Sequence, residues 1–271
     1  MYYKKTNKVF YKGIILIMRQ LLNIFFLILA AALWAGAAAA AAESTGAVLF
    51  DQGHNQRFVI EDAGELQLSK FADIIRSIGG IASSTTAPLS DELLKGVTAL
   101  IISGPFEALK SGEIEAVIRF LERGGRLAAM LHIGPPLAPL LSRLDVDHSN
   151  LVLHERRNVI DSDINFRVTD LTASPLFDGL QRFSLYGAWG LNGGKSGISL
   201  ARTSPDTWVD MDGNGVISKG DIVGAFDVVV TGSAGTGKFV IFGDDAIFQN
   251  RYLDEDNSRL AGNLAGWLLG R

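Results

Sequence analysis

The 271-residue chain contains no cysteine. That one absence removes thiol nucleophiles, disulfides, cysteine-ligated zinc, iron–sulfur clusters and a lipoprotein anchor. It does not exclude export, because a chain of this size buries enough apolar surface to fold without disulfides. Runs of Lys and Arg are also missing. Lys4, Lys5, Lys8, Lys12 and Arg19 are the only charges in the first 42 residues, and without that segment 20 bases face 29 acids. So acidic a remainder argues against neutralising phosphates and therefore against nucleic acid as a partner. With 48% hydrophobic and 20% charged residues, the chain is neither disordered, collagen-like nor a coiled coil.

From Gln20 to Ala42 there is no charge: Leu21 to Trp34 is mostly Leu, Ile, Phe and Ala, and an alanine run ends at Ala42 before Glu43. Basic, apolar and small-residue zones in this order predict a signal peptide over residues 1–42, cleaved after Ala42, with Met18 as a second possible start. The alternative is an uncleaved N-terminal anchor, since the uncharged stretch is just long enough to span a bilayer. Either reading places the folded part, residues 43–271, outside the cytoplasm, periplasmic or secreted.

Ala47 to Phe50 is an apolar run ending in Asp51, and Glu65 to Ile78 sets Leu66, Phe71, Ile74, Ile75 and Ile78 at helical spacing. Val97 to Ile102 and Arg126 to Leu131 read as buried strands, with a helix over Ser111 to Leu121 between them. Alternating helices and continuously apolar strands predict an α/β domain with a doubly wound, mostly parallel sheet. From about 150 to 235 the pattern changes to short runs rich in β-formers, Asn165 to Thr169, Ile198 to Arg202 and Ile222 to Val230, which predicts a β-rich antiparallel insertion. Lys238 to Phe242 then reads as a strand and Asp256 to Leu269 as a closing helix.

Several short motifs stand at the joints of this pattern. They are Asp51-Gln52-Gly53-His54, Gly124-Gly125, Trp208-Val209-Asp210, Gly243-Asp244-Asp245, Asp256-Asn257 and Leu264 to Leu268. Together they resemble a bacterial domain-of-unknown-function family, numbered 4350. That family is similar to the class I glutamine amidotransferase-like superfamily and to extracytoplasmic GldG-type components associated with some ABC transporters. The resemblance implies a flavodoxin-like sheet and, as a partner, such a transporter. Glutamine amidotransferases carry a catalytic cysteine on the turn after the strand that here is Arg126 to Leu131. This chain has His132-Ile133-Gly134 there, so glutaminase chemistry through a thiolate is excluded.

The segment from Asp210 to Asp221 follows the grammar of a calcium loop. Asp210, Asp212 and Asn214 stand at positions 1, 3 and 5, Gly215 at 6, the Val216 carbonyl at 7, Ser218 at 9 and Asp221 at 12. A hard cation takes such an array of oxygens. The other reading is an acidic turn whose Asp, Asn and Gly serve geometry alone.

In a doubly wound sheet the carboxyl ends of the strands form the ligand crevice. Asp51, His54, His132, Asp244, Asp245 and Asn250 all follow strands and are the candidate ligand pocket, for a small molecule, a glycan or an envelope protein. An Asp–His pair with a further carboxylate also permits a hydrolase built on Asp51, His54 and Asp244. The alternative is that Asp51 and Asp244 cap the segments that follow them. Gly232 to Lys238 fits the start of a phosphate-binding loop, but Phe239 stands where Ser or Thr is needed, so a hairpin turn is expected. His148 and His154, like His132, lack metal-ligand spacing, and Tyr186, Trp189 and Trp208 are expected in the core rather than on a sugar.

Overall fold

The computed structural model describes residues 46–271; the expected leader over residues 1–42 lies outside them. The chain runs through β1 (Ala47–Asp51), α1 (Ser69–Ser77), β2 (Ile81–Thr85), β3 (Ala99–Ser103), α2 (Ser111–Glu122), β4 (Arg126–Met130) and α3 (Ala138–Arg143). A β-rich stretch follows, with β5 (Asp147–His154), β6 (Asn165–Val168), β7 (Asp170–Leu171), β8 (Phe183–Tyr186) and β9 (Trp189–Asn192). It continues with β10 (Ile198–Arg202), β11 (Trp208–Val209), β12 (Ile222–Val223) and β13 (Asp227–Ala234). β14 (Gly237–Phe242) and α4 (Glu255–Leu268) close the chain.

The parallel core has the order β2-β1-β3-β4-β14. Beyond β14 the same sheet continues antiparallel through β13, β9, β5, β11 and β12, so the whole sheet is mixed. β10 pairs with β13 and β7, while β6 and β8 form a separate ribbon. The core strands are apolar without interruption because both faces are covered. Val48, Phe50, Ala99, Ile101, Ala128, Met130, Val240 and Phe242 pack with α1 and α4 on one side. Their neighbours Leu49, Leu100, Ile102, Leu127, Ala129, Phe239 and Ile241 pack with α2 and α3 on the other.

Several elements depart from the sequence expectation for identifiable reasons. The first helix starts at Ser69 rather than Glu65, because the preceding turn is bonded elsewhere: Leu68 N–H donates to the Val59 carbonyl, and the Glu65 and Gln67 carbonyls accept from Arg251 and Asn250. Ile222 to Val230 is two strands, broken where Gly224 N–H donates to Thr207. β2 has no apolar signature because it is a half-exposed edge strand. Gly232 to Lys238 forms the β13–β14 hairpin, with Ala234 paired to Gly237. Trp189 and Trp208 are buried, and Tyr186 stacks on Tyr252 with ring centroids 4.0 Å apart.

The β6–β8 ribbon is fastened to α4 by one buried amide. Asn257 Oδ1 accepts from Ser184 N–H at 2.9 Å while its Nδ2 donates to the Ser184 and Tyr252 carbonyls. Removing it leaves three buried backbone groups without partners. Asn257→Ala is expected to lower unfolding free energy by about 2–3 kcal/mol, read as a reduced urea midpoint at unchanged slope.

Candidate functional site

The order β2-β1-β3 reverses direction at β1, which puts the crevice of the fold at the carboxyl ends of β1 and β3. Asp51 closes β1 with its side chain fully buried. Its Oδ1 accepts from Gly53 N–H, and its Oδ2 lies 2.7 Å from His54 Nδ1 and accepts from Gln56 Nε2 at 2.7 Å. The other ring nitrogen, His54 Nε2, lies 3.2 Å from Glu113 Oε1 in the first turn of α2. Glu113 also accepts from the N-cap Lys110 N–H at 2.9 Å and from Leu89 N–H at 3.1 Å. The His54 carbonyl accepts from Phe106 and Glu107 N–H.

The imidazole is therefore clamped between two carboxylates. Burial alone would lower the His54 pKa, but the hydrogen bonds and charges of Asp51 and Glu113 outweigh it and hold the ring above its ordinary value. Glu113 is treated in reverse: burial pushes its carboxyl up, and the Lys110 amide, His54 and the Leu89 amide bring it below the usual range.

A second group forms at the ends of β4 and β14. Gly243-Asp244-Asp245 leaves β14, and the two carboxylates diverge. Asp244 accepts from Tyr186 N–H at 2.6 Å and Ala246 N–H at 2.8 Å. Burial, reinforced by the Asp245 charge, pushes its pKa up to about 8. Asp245 Oδ1 lies 3.0 Å from His132 Nδ1. Burial also raises the Asp245 carboxyl, against the pull of His132. The bond to Asp245 raises the His132 imidazole over the opposing effect of burial.

The His132 side chain is one-third exposed. Phe58 lies edge-on to its ring at 5.3 Å and Phe106 tilted at 5.0 Å between centroids. The Arg57 guanidinium stands 4.2 Å over the Phe106 ring. Trp189 Nε1 donates to the His132 carbonyl at 3.2 Å. Gly104, at φ +55°, lies where a Cβ would overlap the Asp245 carboxylate. No other residue gives Asp245 that approach.

The acidic loop lies between β11 and β12. Asp210 accepts from Gly213, Asn214 and Gly215 N–H, and these amides, Gly215 first, hold its carboxyl below the ordinary range. Asp221 accepts from Met211 and Ser218 N–H, Asn214 Oδ1 from Val216 N–H, and Asp212 from Ser218 Oγ. Gly213 and Gly215 take φ +72° and +75°. One carboxylate oxygen from each of Asp210, Asp212 and Asp221 lies within 4.8 Å of the others. Calcium–oxygen distances of about 2.3–2.6 Å set ligand oxygens at most about 5 Å apart, so the triad has the spacing to hold a metal ion.

The sequence profile of the domain-of-unknown-function family DUF4350 matches residues 60–265. The chain belongs to this family. Among solved structures, this DUF4350 chain is similar to the mmIFT52 N-terminal domain, at 18% identity and TM-score 0.67 over 82% of this chain and 97% of that one. It is similar to a putative ThuA-like protein from Bacteroides uniformis at 15% identity and TM-score 0.53, covering 84% and 92%. A cytoplasmic protein of Salmonella typhimurium, STM1381, matches at 12% identity and TM-score 0.55, covering 82% and 98%. At these identities the likenesses carry the glutamine amidotransferase-like fold alone. Comparison with curated proteins finds no match.

In this DUF4350 chain the six expected pocket residues divide three ways. Asp51 and His54 pair with each other and with Glu113. His132, Asp244 and Asp245 meet at the ends of β4 and β14. Asn250 joins neither group: its side chain accepts from Lys70 N–H and donates to Gly64 and Ser69, fastening the start of α1. The trio Asp51, His54 and Asp244 is not joined, since both His54 nitrogens face Asp51 and Glu113 while Asp244 holds two backbone amides. Glu113 was not among the residues expected at the site. Arg57, Phe58 and Phe106 lie in loops and gave no signal.

The His54 clamp has a definite pH signature. A histidine raised above its free value of about 6.5 gives stabilisation that is complete below that pH and lost as pH rises through the folded value. His54→Asn is expected to cost about 3 kcal/mol at pH 6, with the gap to wild type narrowing toward pH 9. Urea unfolding at three pH values checks this, and a gap independent of pH would contradict it.

Proposed function

We propose that this is an extracytoplasmic, non-catalytic binding domain on a glutamine amidotransferase-like scaffold, with a calcium-stabilised loop. The observation that carries the reading is the state of the carboxyl edge. The turn that holds the thiol in amidotransferases holds His132, anchored by Asp245, and the chain has no cysteine. His54, the other candidate for acid–base work, is closed off between two carboxylates. What remains open is a half-exposed, aromatic-lined edge that recognises a small molecule, a glycan or an envelope protein. The leader-like N-terminal sequence supports a periplasmic or secreted location, and the family resemblance supports a place beside an ABC transporter.

Calcium is favoured in the loop by its all-oxygen donors, the two left-handed glycines and the spacing of the three carboxylates. Asp210, Asp212, Asn214, Ser218 and Asp221 would hold it by side chains and Val216 by its carbonyl. Bound there, the ion would offset two of the triad's three negative charges and fix the β11–β12 turn.

Two measurements test the proposal. A few millimolar calcium should raise the thermal midpoint by a few degrees over chelator, the shift expected for an ion held at about 0.1–1 mM. Asp212→Ala should abolish that shift. No shift in the wild type would reduce the loop to a turn. The protein should release no ammonia from glutamine above a heat-denatured control, and turnover would overturn the non-catalytic reading.

A further inference from the structure

The edge around His132 has a charge balance that specifies a ligand. Asp244 and Asp245 are the acids beneath it, both buried. Asp244 is turned away from the edge, with one oxygen on the Tyr186 amide and the other on the Ala246 amide. Asp245 is matched by His132 at 3.0 Å. Arg57, which is exposed and near enough for its charge to act on His132, makes no ion pair among the described residues. His132 Nε2 likewise has no hydrogen-bond partner there, since Nδ1 makes the bond to Asp245. Arg57 and His132 thus both border the Phe106 ring, and Phe58 lies edge-on to the imidazole.

Resting on the binding reading above, we propose that this edge takes a small organic anion, its carboxylate or phosphate held by Arg57 and His132 Nε2 and its apolar body laid on Phe58 and Phe106. Each part has a physical reason. A guanidinium offers paired donors to a planar oxyanion, and its place over Phe106 orients that fork in advance. Asp245 holds Nδ1 of the one-third-exposed His132 ring and leaves Nε2 without a partner among the described residues, and Gly104 gives Asp245 the room to do so. The His54 carbonyl, bonded to Phe106 and Glu107 N–H, anchors the β3–α2 loop that carries Phe106. Neutral ligands gain the aromatic contact but leave both donors unpaired.

Benzoate and its neutral isostere benzamide are the probes. The purified protein has four histidines, and the ring signal of His132 in proton NMR is assigned by its loss in His132→Gln. Benzoate should shift that signal and saturate at about a tenfold lower concentration than benzamide, as expected for a charge-assisted pair. Arg57→Gln, an exposed change that leaves the thermal midpoint in place, should remove the difference. Inorganic phosphate should displace benzoate. If both probes bind equally, the anion preference is overturned while the binding reading stands. If neither moves the His132 signal, the inference falls and the binding reading loses this edge as its site.

Discussion

The clamp of His54 between Asp51 and Glu113 is the constraint on which the carboxyl edge depends. Burying an imidazolium with two carboxylates is costly unless every remaining donor and acceptor is met. Here they are met: Asp51 takes Gly53 N–H and the Gln56 amide, and Glu113 takes the Lys110 and Leu89 amides. The ring thereby joins the end of β1 to the start of α2, and the His54 carbonyl joins both to the loop after β3. Loops on which Arg57, Phe58 and Phe106 depend would otherwise be held by few backbone bonds. A neutral ring could donate to only one carboxylate and would present a lone pair to the other. The pH sensitivity of the fold and the geometry of its open edge thus share one cause.

The parts legible in the sequence were those whose cause is local. β3, β4 and β14 are apolar at every position because both sheet faces are covered, so they could be read without knowing what covered them. The loop from Asp210 to Asp221 has all its donors within twelve residues and a left-handed glycine between them, and its shape follows from that spacing. The pairing of Asp51 with His54 was legible for the same reason. Glu113 was not, because its link to His54 passes between two elements and its capping role alone explains its presence. Asp244 and Asp245 looked equivalent, yet adjacent side chains leaving a strand point opposite ways, so one holds backbone amides and the other reaches His132. Nothing in the sequence said which. Arg57 and Phe58 meet Phe106 and His132 only in the folded chain, across loops that carry no periodicity.

The scaffold also explains what surrounds the turn after β4. That turn stands beside the ends of β3 and β14, so whatever occupies it meets groups from both. In this chain His132 occupies it, and Gly104 on one side and Asp245 on the other are shaped around it. The Trp189 indole, which donates to the His132 carbonyl, ties the turn to the antiparallel extension as well. The turn thus presents an oriented imidazole that is one-third exposed.

The acidic loop and this edge are too far apart to share an electrostatic task. At this end of the sheet β11, which enters the loop, is separated from β4 by β5, β9 and β14, since Trp189 N–H donates directly to the Gly243 carbonyl. At about 4.8 Å per strand the separation across the sheet is roughly 19 Å, against a screening length of about 8 Å at physiological salt. A cation in the loop would therefore change no charge at His132. Its influence would be confined to what the loop touches: β11 and β12, and through β11 the end of β5. Glu155 stands at that end, buried and holding Arg156 and Arg157 N–H together with the hydroxyls of Ser204 and Thr207. That network already fixes the approach to the loop without a metal. A cation would then have only the Asp210–Asp221 turn left to order, and any stabilisation it gives measures that turn rather than the ligand edge.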